Sequence, residues 1–267
     1  MKNFFLKHKR PVFLTVIILV LTFIFTTAAV TEPKKSSEDI IKDISTCSKP
    51  EGRIVAHGID ISFYQGDVDF QKVKDSGISF VILRAGITGF GSDDRFEEYY
   101  EKATAVGLDV GCYYYTYSTS VEGVQKDAEE LLSIINGKTF TYPVFLDFEE
   151  EAAMSADMID ENTAMVNAFC SAVKKKGYYP GVYTSASIYE NYLETISLGS
   201  EWDFWIASYD DHTCESDKYS SEFSMWQYSN QGSIDGIDSD VDLNVAYVDY
   251  PKLINEFRQK LVKYTTD

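Results

Sequence analysis

The segment Tyr142-Pro-Val-Phe-Leu-Asp-Phe-Glu-Glu150 places two carboxylates, Asp147 and Glu149, two residues apart at the end of an apolar run. In a strand, residues two apart share a face. Phe145, Asp147 and Glu149 then project one way, and Val144, Leu146 and Phe148 the other. Acids this close raise each other's proton affinity, so one stays protonated near neutral pH. A protonated acid beside an ionised one is what cleavage of a glycosidic bond requires. One donates to the leaving oxygen, and the other stabilises positive charge at the sugar carbon. A solvated strand end and a metal site are the competing readings.

Two further acids stand at comparable positions. Asp60, in His57-Gly-Ile-Asp-Ile-Ser-Phe-Tyr-Gln-Gly66, ends the first strand-like run; taken alone it reads more readily as a turn residue. Asp242 lies in Asp235-Gly-Ile-Asp-Ser-Asp-Val-Asp-Leu-Asn244. Asp238, Asp240 and Asp242 have the opening spacing of a calcium loop, but Leu243 stands where such a loop takes glycine, and the closing glutamate is missing. Val241, Leu243 and Val245 alternate as in a strand. With 4 cysteines, only 3 histidines and no C-x-x-C pair, zinc is not expected either. No metal or cofactor is predicted.

These acids need elements to aim them. Short apolar runs at Val55–Ile61, Phe80–Ala85, Leu108–Tyr115, Tyr142–Phe148, Pro180–Tyr183, Phe204–Ala207 and Ser224–Tyr228 read as strands. Between them run helical stripes, one of Val124, Ala128, Leu131, Leu132 and Ile135, another of Met165, Phe169, Ala172 and Val173. Gly77, Gly107, Gly137 and Gly177 come after such segments, where a left-handed helix terminus takes glycine. Strands alternating with helices imply an α/β fold around a parallel sheet. The number of strands, with no glycine-rich phosphate loop, favours a (β/α) barrel. The helix-poor stretch after Phe204 makes that barrel irregular. Barrel enzymes carry their active sites at the C-terminal ends of the strands, where Asp60, Asp147 and Glu149 fall.

The chain's beginning is of another kind. Lys2, Lys7, Lys9 and Arg10 precede an uncharged run from Val12 to Val30. Residues 1–30 read as a signal peptide or, given the length of the run, an uncleaved transmembrane anchor. Either sends the rest of the chain out of the cytoplasm. Residues 31–53 are polar and read as a linker; residues 54–267 form the domain. The net charge of −18 argues against a nucleic-acid-binding surface and against tight adhesion to polyanions at low salt. Outside the cytoplasm Cys47, Cys112, Cys170 and Cys214 have three possible pairings. Cys112 and Cys170 lie in apolar segments and read as buried thiols, leaving Cys47 and Cys214 as the pair to test. The chain is expected to act as a monomer.

An ordered set of motifs resembles glycoside hydrolase family 25, the Chalaropsis-type lysozymes. It comprises Gly58-Ile-Asp-Ile-Ser-Phe-Tyr-Gln-Gly66, Phe80-Val-Ile-Leu-Arg-Ala-Gly86, Asp147-Phe-Glu149, Gly181-Val-Tyr183, Phe204-Trp-Ile-Ala207, Met225-Trp-Gln-Tyr228 and Val241-Asp-Leu-Asn244. The resemblance runs from about Ile54 to Tyr250. It implies an irregular β/α barrel and N-acetylmuramidase activity on peptidoglycan glycan strands, cutting between N-acetylmuramic acid and N-acetylglucosamine. It further implies Glu149 as general acid, Asp147 tuning or assisting it, and Asp60 and Asp242 completing an acidic ring. The nucleophile stays open between a carboxylate and the substrate's own N-acetyl group, with Asp147 or Asp242 favoured as stabiliser of an N-acetyl-derived intermediate. Arg84, Tyr115, Tyr183, Trp205 and Gln227 occupy strand positions suited to line a sugar groove or, equally, to pack the core. The chain departs from the family at Phe63-Tyr64, where a His-Trp or similar aromatic pair is frequent. A catalytically inactive wall-binding domain and a hydrolase of another amino-sugar polymer such as chitin are the alternatives.

Overall fold

The computed structural model describes residues 54–209 and 223–266. The leader or anchor, the linker, Cys47 and Cys214 lie outside the described residues.

Along the chain the strands are β1 (Ala56–Ile61), β2 (Phe80–Ile87), β3 (Gly91–Ser92), β4 (Asp109–Tyr115), β5 (Val144–Asp147), β6 (Pro180–Ser185), β7 (Asp203–Ala207), β8 (Met225–Gly232) and β9 (Val241–Ala246). Their order is β1-β9-β8-β7-β6-β5-β4-β2, and β1 also pairs with β2, so eight strands close into a barrel. The two-residue β3 hangs antiparallel from the end of β2. From β1 through β2 and β4 to β8, neighbours in the wall run parallel. β9 closes the gap antiparallel to both β8 and β1. The helices are α1 (Phe70–Asp75), α2 (Phe96–Ala105), α3 (Val121–Ile134), α4 (Ile159–Lys175), α5 (Ala186–Tyr192), α6 (Thr195–Glu201) and α7 (Tyr250–Thr266). β8 passes into β9 with no helix between them, which is the irregularity the sequence pattern predicts.

Side-chain alternation sorts the wall into two apolar layers. Outward residues such as Val144, Leu146 and Phe148 join Val124, Ala128, Leu131, Met165, Phe169 and Val173 under the helices. Inward residues such as Phe80, Ile82, Phe145, Trp205 and Met225 fill the barrel itself. Tyr250, at the start of α7, lies against Tyr142 with ring centroids 5.2 Å apart, and Tyr142 stacks on Phe80 at 4.2 Å. These rings plug the end opposite the site. Their bulk is matched by wall glycines: a Cβ on Gly58 would lie 2.3 Å from the Phe80 ring, and one on Gly181 would lie 2.5 Å from Phe145. Gly77, Gly107, Gly137 and Gly177 come after α1 to α4 with φ of 88°, 73°, 81° and 90°, the left-handed turn expected of them. Cys112 and Cys170 are buried free thiols, with burial pushing both up.

Most strand limits shift by one to four residues from expectation, and two of these shifts bear on the site. β5 stops at Asp147, not Phe148, so Glu149 stands just beyond the strand. β8 continues to Gly232, past Tyr228, because it pairs with the returning β9 through register shifts after Gln227 and Ser229.

Candidate active site

At the C-terminal mouth, one cavity is lined by Asp60, Asp147, Glu149 and Asp242. β1 delivers Asp60, β5 delivers Asp147, and the chain leaving β5 delivers Glu149. Asp242 arrives differently. Because β9 runs antiparallel, its beginning meets the end of β1, and Asp242 is the register partner of Asp60. Of the three aspartates with calcium-loop spacing, only Asp242 lines the cavity. Among the described residues, no group of three or more His, Cys, Asp or Glu side chains is arranged to hold a metal ion.

Burial dominates the electrostatics. It pushes Asp60 up to about 6, against the hydrogen bonds of Asn244 and Gln227 that hold it down. Asp242 is pushed up to about 9, by burial first and then by the charge of Asp60. Asp147 is held well above the ordinary carboxylate range by burial, then by Glu149 and Asp60, with Arg84 opposing. Its Oδ1 is buried without a hydrogen-bond partner. Glu149 is raised by burial and by Asp60. Asp147, Glu149 and Asp242 are each raised by the charge of Asp60, whereas no neighbouring charge raises Asp60 itself.

Arg84, Tyr115, Tyr183 and Trp205 also line the cavity. Arg84 is held from behind: its Nε donates to Asp93 Oδ2 at 2.8 Å, and Nη2 lies 2.8 Å from the same oxygen. The Phe63 and Tyr64 rings lie 5.1 and 5.3 Å from its guanidinium carbon, within cation–π range of both. The Phe63-Tyr64 pair thus forms a rim platform, with Tyr64 70% exposed and at the cavity edge. Tyr115 is the register partner of Asp147. Trp205 is almost wholly buried beneath Tyr183, with ring centroids 4.4 Å apart.

Gln227 takes the packing role of the two its strand position allows. It does not line the cavity, but lies behind the wall at 1% exposure, bonded to Asp60. The reason is register, since it sits opposite Asn244, one inward step below Asp242. Sequence reasoning does not single out Asn244 or Asp93 as site residues. Asn244 is legible as the polar inward neighbour of Asp242 in an apolar strand; Asp93 carries no comparable signal. Tyr113, Ser62 and Gln65 join the lining as well. Gln65 accepts from the Ser62 amide at 2.9 Å and donates to the Asp240 carbonyl at 3.2 Å. The loop after β1 is thereby tied to the turn before β9.

Against the family model of glycosyl hydrolases family 25, residues 59–237 match, more than half of the chain. The chain belongs to glycosyl hydrolases family 25. The autolytic lysozyme of Clostridium acetobutylicum is 31% identical over 189 residues, covering 70% of this chain and 54% of its own. The chain therefore spans about half the length of that relative. Among solved structures, the CTP1L endolysin superposes with a TM-score of 0.64 at 25% identity, covering 76% of this chain and 70% of its own. The modular autolysin LytC from Streptococcus pneumoniae gives 0.61 at 25% identity, with 71% and 46% covered. The irregular barrel is the fold shared with these structures.

Proposed function

We propose that the chain is a peptidoglycan muramidase, hydrolysing the β-1,4 bond between N-acetylmuramic acid and N-acetylglucosamine with Glu149 as general acid. The observation that carries this reading is the cavity itself: four carboxylates from three strands and one loop converge at the barrel mouth, and burial keeps Glu149 raised. Membership of family 25, with a lysozyme and autolysins among the relatives, supports the substrate class.

In this mechanism Glu149 gives its proton to the glycosidic oxygen as the bond to the anomeric carbon breaks. The acetamido oxygen of the same sugar closes on that carbon. The unpartnered Asp147 Oδ1 accepts the acetamido N–H, which holds the acetamido oxygen in line for that closure and stabilises the cyclic intermediate through the hydrogen bond. Water then attacks the anomeric carbon, gives its proton back to Glu149, and the configuration is retained. Asp60 and Asp242 set the charge of the site, and the exposed Tyr64 and half-buried Tyr115 offer ring faces to the glycan. We place the domain outside the cytoplasm, secreted or tethered by residues 1–30, acting on wall glycan as a monomer.

The test is incubation of the full chain with bacterial peptidoglycan beside a Glu149→Gln variant. Released ends are reduced with borohydride and identified by mass spectrometry. Reduced muramic acid ends are expected from the wild type, and the variant should be slower by about 10²–10⁴-fold, the usual contribution of a general acid. Glucosamine ends would identify the other glycosidic bond. Cleavage of chitin alone would move the substrate class. Binding to wall with no new ends from either protein would make the domain a wall-binding module.

A further inference from the structure

One chain of hydrogen bonds beneath the acidic ring has its direction fixed by chemistry. The indole Nε1–H of Trp205 can only donate, and it does so to Asn244 Oδ1 at 2.8 Å. The Asn244 amide nitrogen must then face the other way, and it donates to Asp60 Oδ2 at 2.8 Å. Gln227 is clamped likewise: its Oε1 accepts from the hydroxyls of Tyr183, at 2.8 Å, and of Tyr209. Its Nε2 donates to the same Asp60 oxygen at 2.8 Å, with Asp242 Oδ2 at 3.5 Å. Two buried amides thus aim their donors at one carboxylate oxygen, an arrangement that stabilises the ionised form. Asn244 has no second orientation that satisfies Trp205, and Gln227 faces Asp60 with its amide nitrogen while both tyrosine hydroxyls meet its oxygen. Asp147, by contrast, has a buried oxygen with no donor at all.

We propose that Gln227 and Asn244 are positioning residues that seat the ring's negative charge on Asp60, and that this charge keeps Glu149 in its proton-donating form. The proposal rests on Glu149 being the acid and says what sets its protonation. The groups facing this centre are Arg84 from β2, Tyr113 and Tyr115 from β4, Asp147 from β5, Tyr183 from β6, Tyr209 after β7, and Asp242 from β9. Arg84 is the cation among them, and Asp93 already offsets it. The Asp60 charge therefore acts on Glu149 across the cavity that both line. Glu149 and Asp242 both rise in response to it.

Two arms test this on the full chain. Infrared titration of protonated carboxyls, without substrate, reads the ring in the wild type, Asp60→Asn, Asn244→Leu and Gln227→Met. A wild-type ionisation that Asp60→Asn removes is expected, and either amide variant should move it up by on the order of one pH unit. An ionisation that stays in place while the melting temperature falls would make the amides structural only and overturn the proposal. Asp60→Asn keeps the shape and the acceptor oxygen, so it guards against variants that fail to fold. The second arm is the pH dependence of kcat on peptidoglycan. In Asp60→Asn the alkaline limb, where Glu149 loses its proton, should move to lower pH by on the order of one unit, with KM within about twofold. An unmoved limb would overturn the link to Glu149. If no protein cleaves glycan, the muramidase reading fails and with it the link to an acid, whereas the infrared arm still decides whether the amides seat the charge.

Discussion

Asp147 carries a cost that its position makes legible. It is 4% exposed, one oxygen has no partner, and its carboxyl is held well above the ordinary range by burial first and by Glu149 and Asp60 next. An acid whose affinity for its proton is raised on folding stabilises the native state fully only below its unfolded pKa. That contribution is lost as pH rises toward the folded value. Asp147→Asn removes this linkage. Its melting temperature relative to wild type should be higher at pH 7, and the gain should shrink as pH is lowered toward 4, the usual exchange of stability for function at an active site. Scanning calorimetry at the two pH values checks this, and a gain independent of pH would assign the effect to packing. At this scale the candidate acids are readable from Asp147-Phe-Glu149, since alternation alone turns both side chains inward. The fate of Gln227 is not, because nothing in Met225-Trp-Gln-Tyr228 distinguishes a residue on the cavity wall from one just behind it.

Among the elements, β1 and β9 decide the site. Gly58 of β1 pairs with Phe80 across the wall, and its missing side chain is the room the Phe80 ring occupies. Gly58→Ala should destabilise by about 1–3 kcal/mol through overpacking, read as a lower urea midpoint. Phe80→Leu in the same chain should return part of the loss, because neighbours sharing one space are not additive. β9 illustrates what a local pattern omits. Val241, Leu243 and Val245 announce a strand, but its direction comes only from pairing with β8 and β1. Antiparallel entry puts the first residues of β9 at the mouth, so Asp242 reaches the ring from the start of a strand, whereas Asp60 and Asp147 reach it from strand ends.

For the whole molecule, net charge governs the approach to substrate. On the proposed muramidase reading, a chain of −18 meets a wall that carries carboxylates of its own, and like charges repel over about 10 Å at moderate salt. KM on intact wall should therefore fall as ionic strength rises from low to physiological, while kcat changes little; turbidity clearance over a salt series reads this. A KM that rises with salt would mean that local cationic contacts, with Arg84 the first candidate, outweigh the overall field. The buried thiols of Cys112 and Cys170 hold no part in this surface.

The sequence by itself determined the fold class, the layers and which acids are candidates. Alternation assigns each strand residue to the inside or the outside, helical stripes face the sheet, and glycines end the helices, all through interactions within a few residues of chain. Tertiary structure decided the rest, because those questions involve residues far apart along the chain. Asp60 meets Gln227 and Asn244 across 167 and 184 positions, and Arg84 meets Asp93 through a hairpin whose pairing no periodicity records. Which carboxylate holds the charge depends on burial and on the direction of amide donors, and both exist only once the barrel has closed.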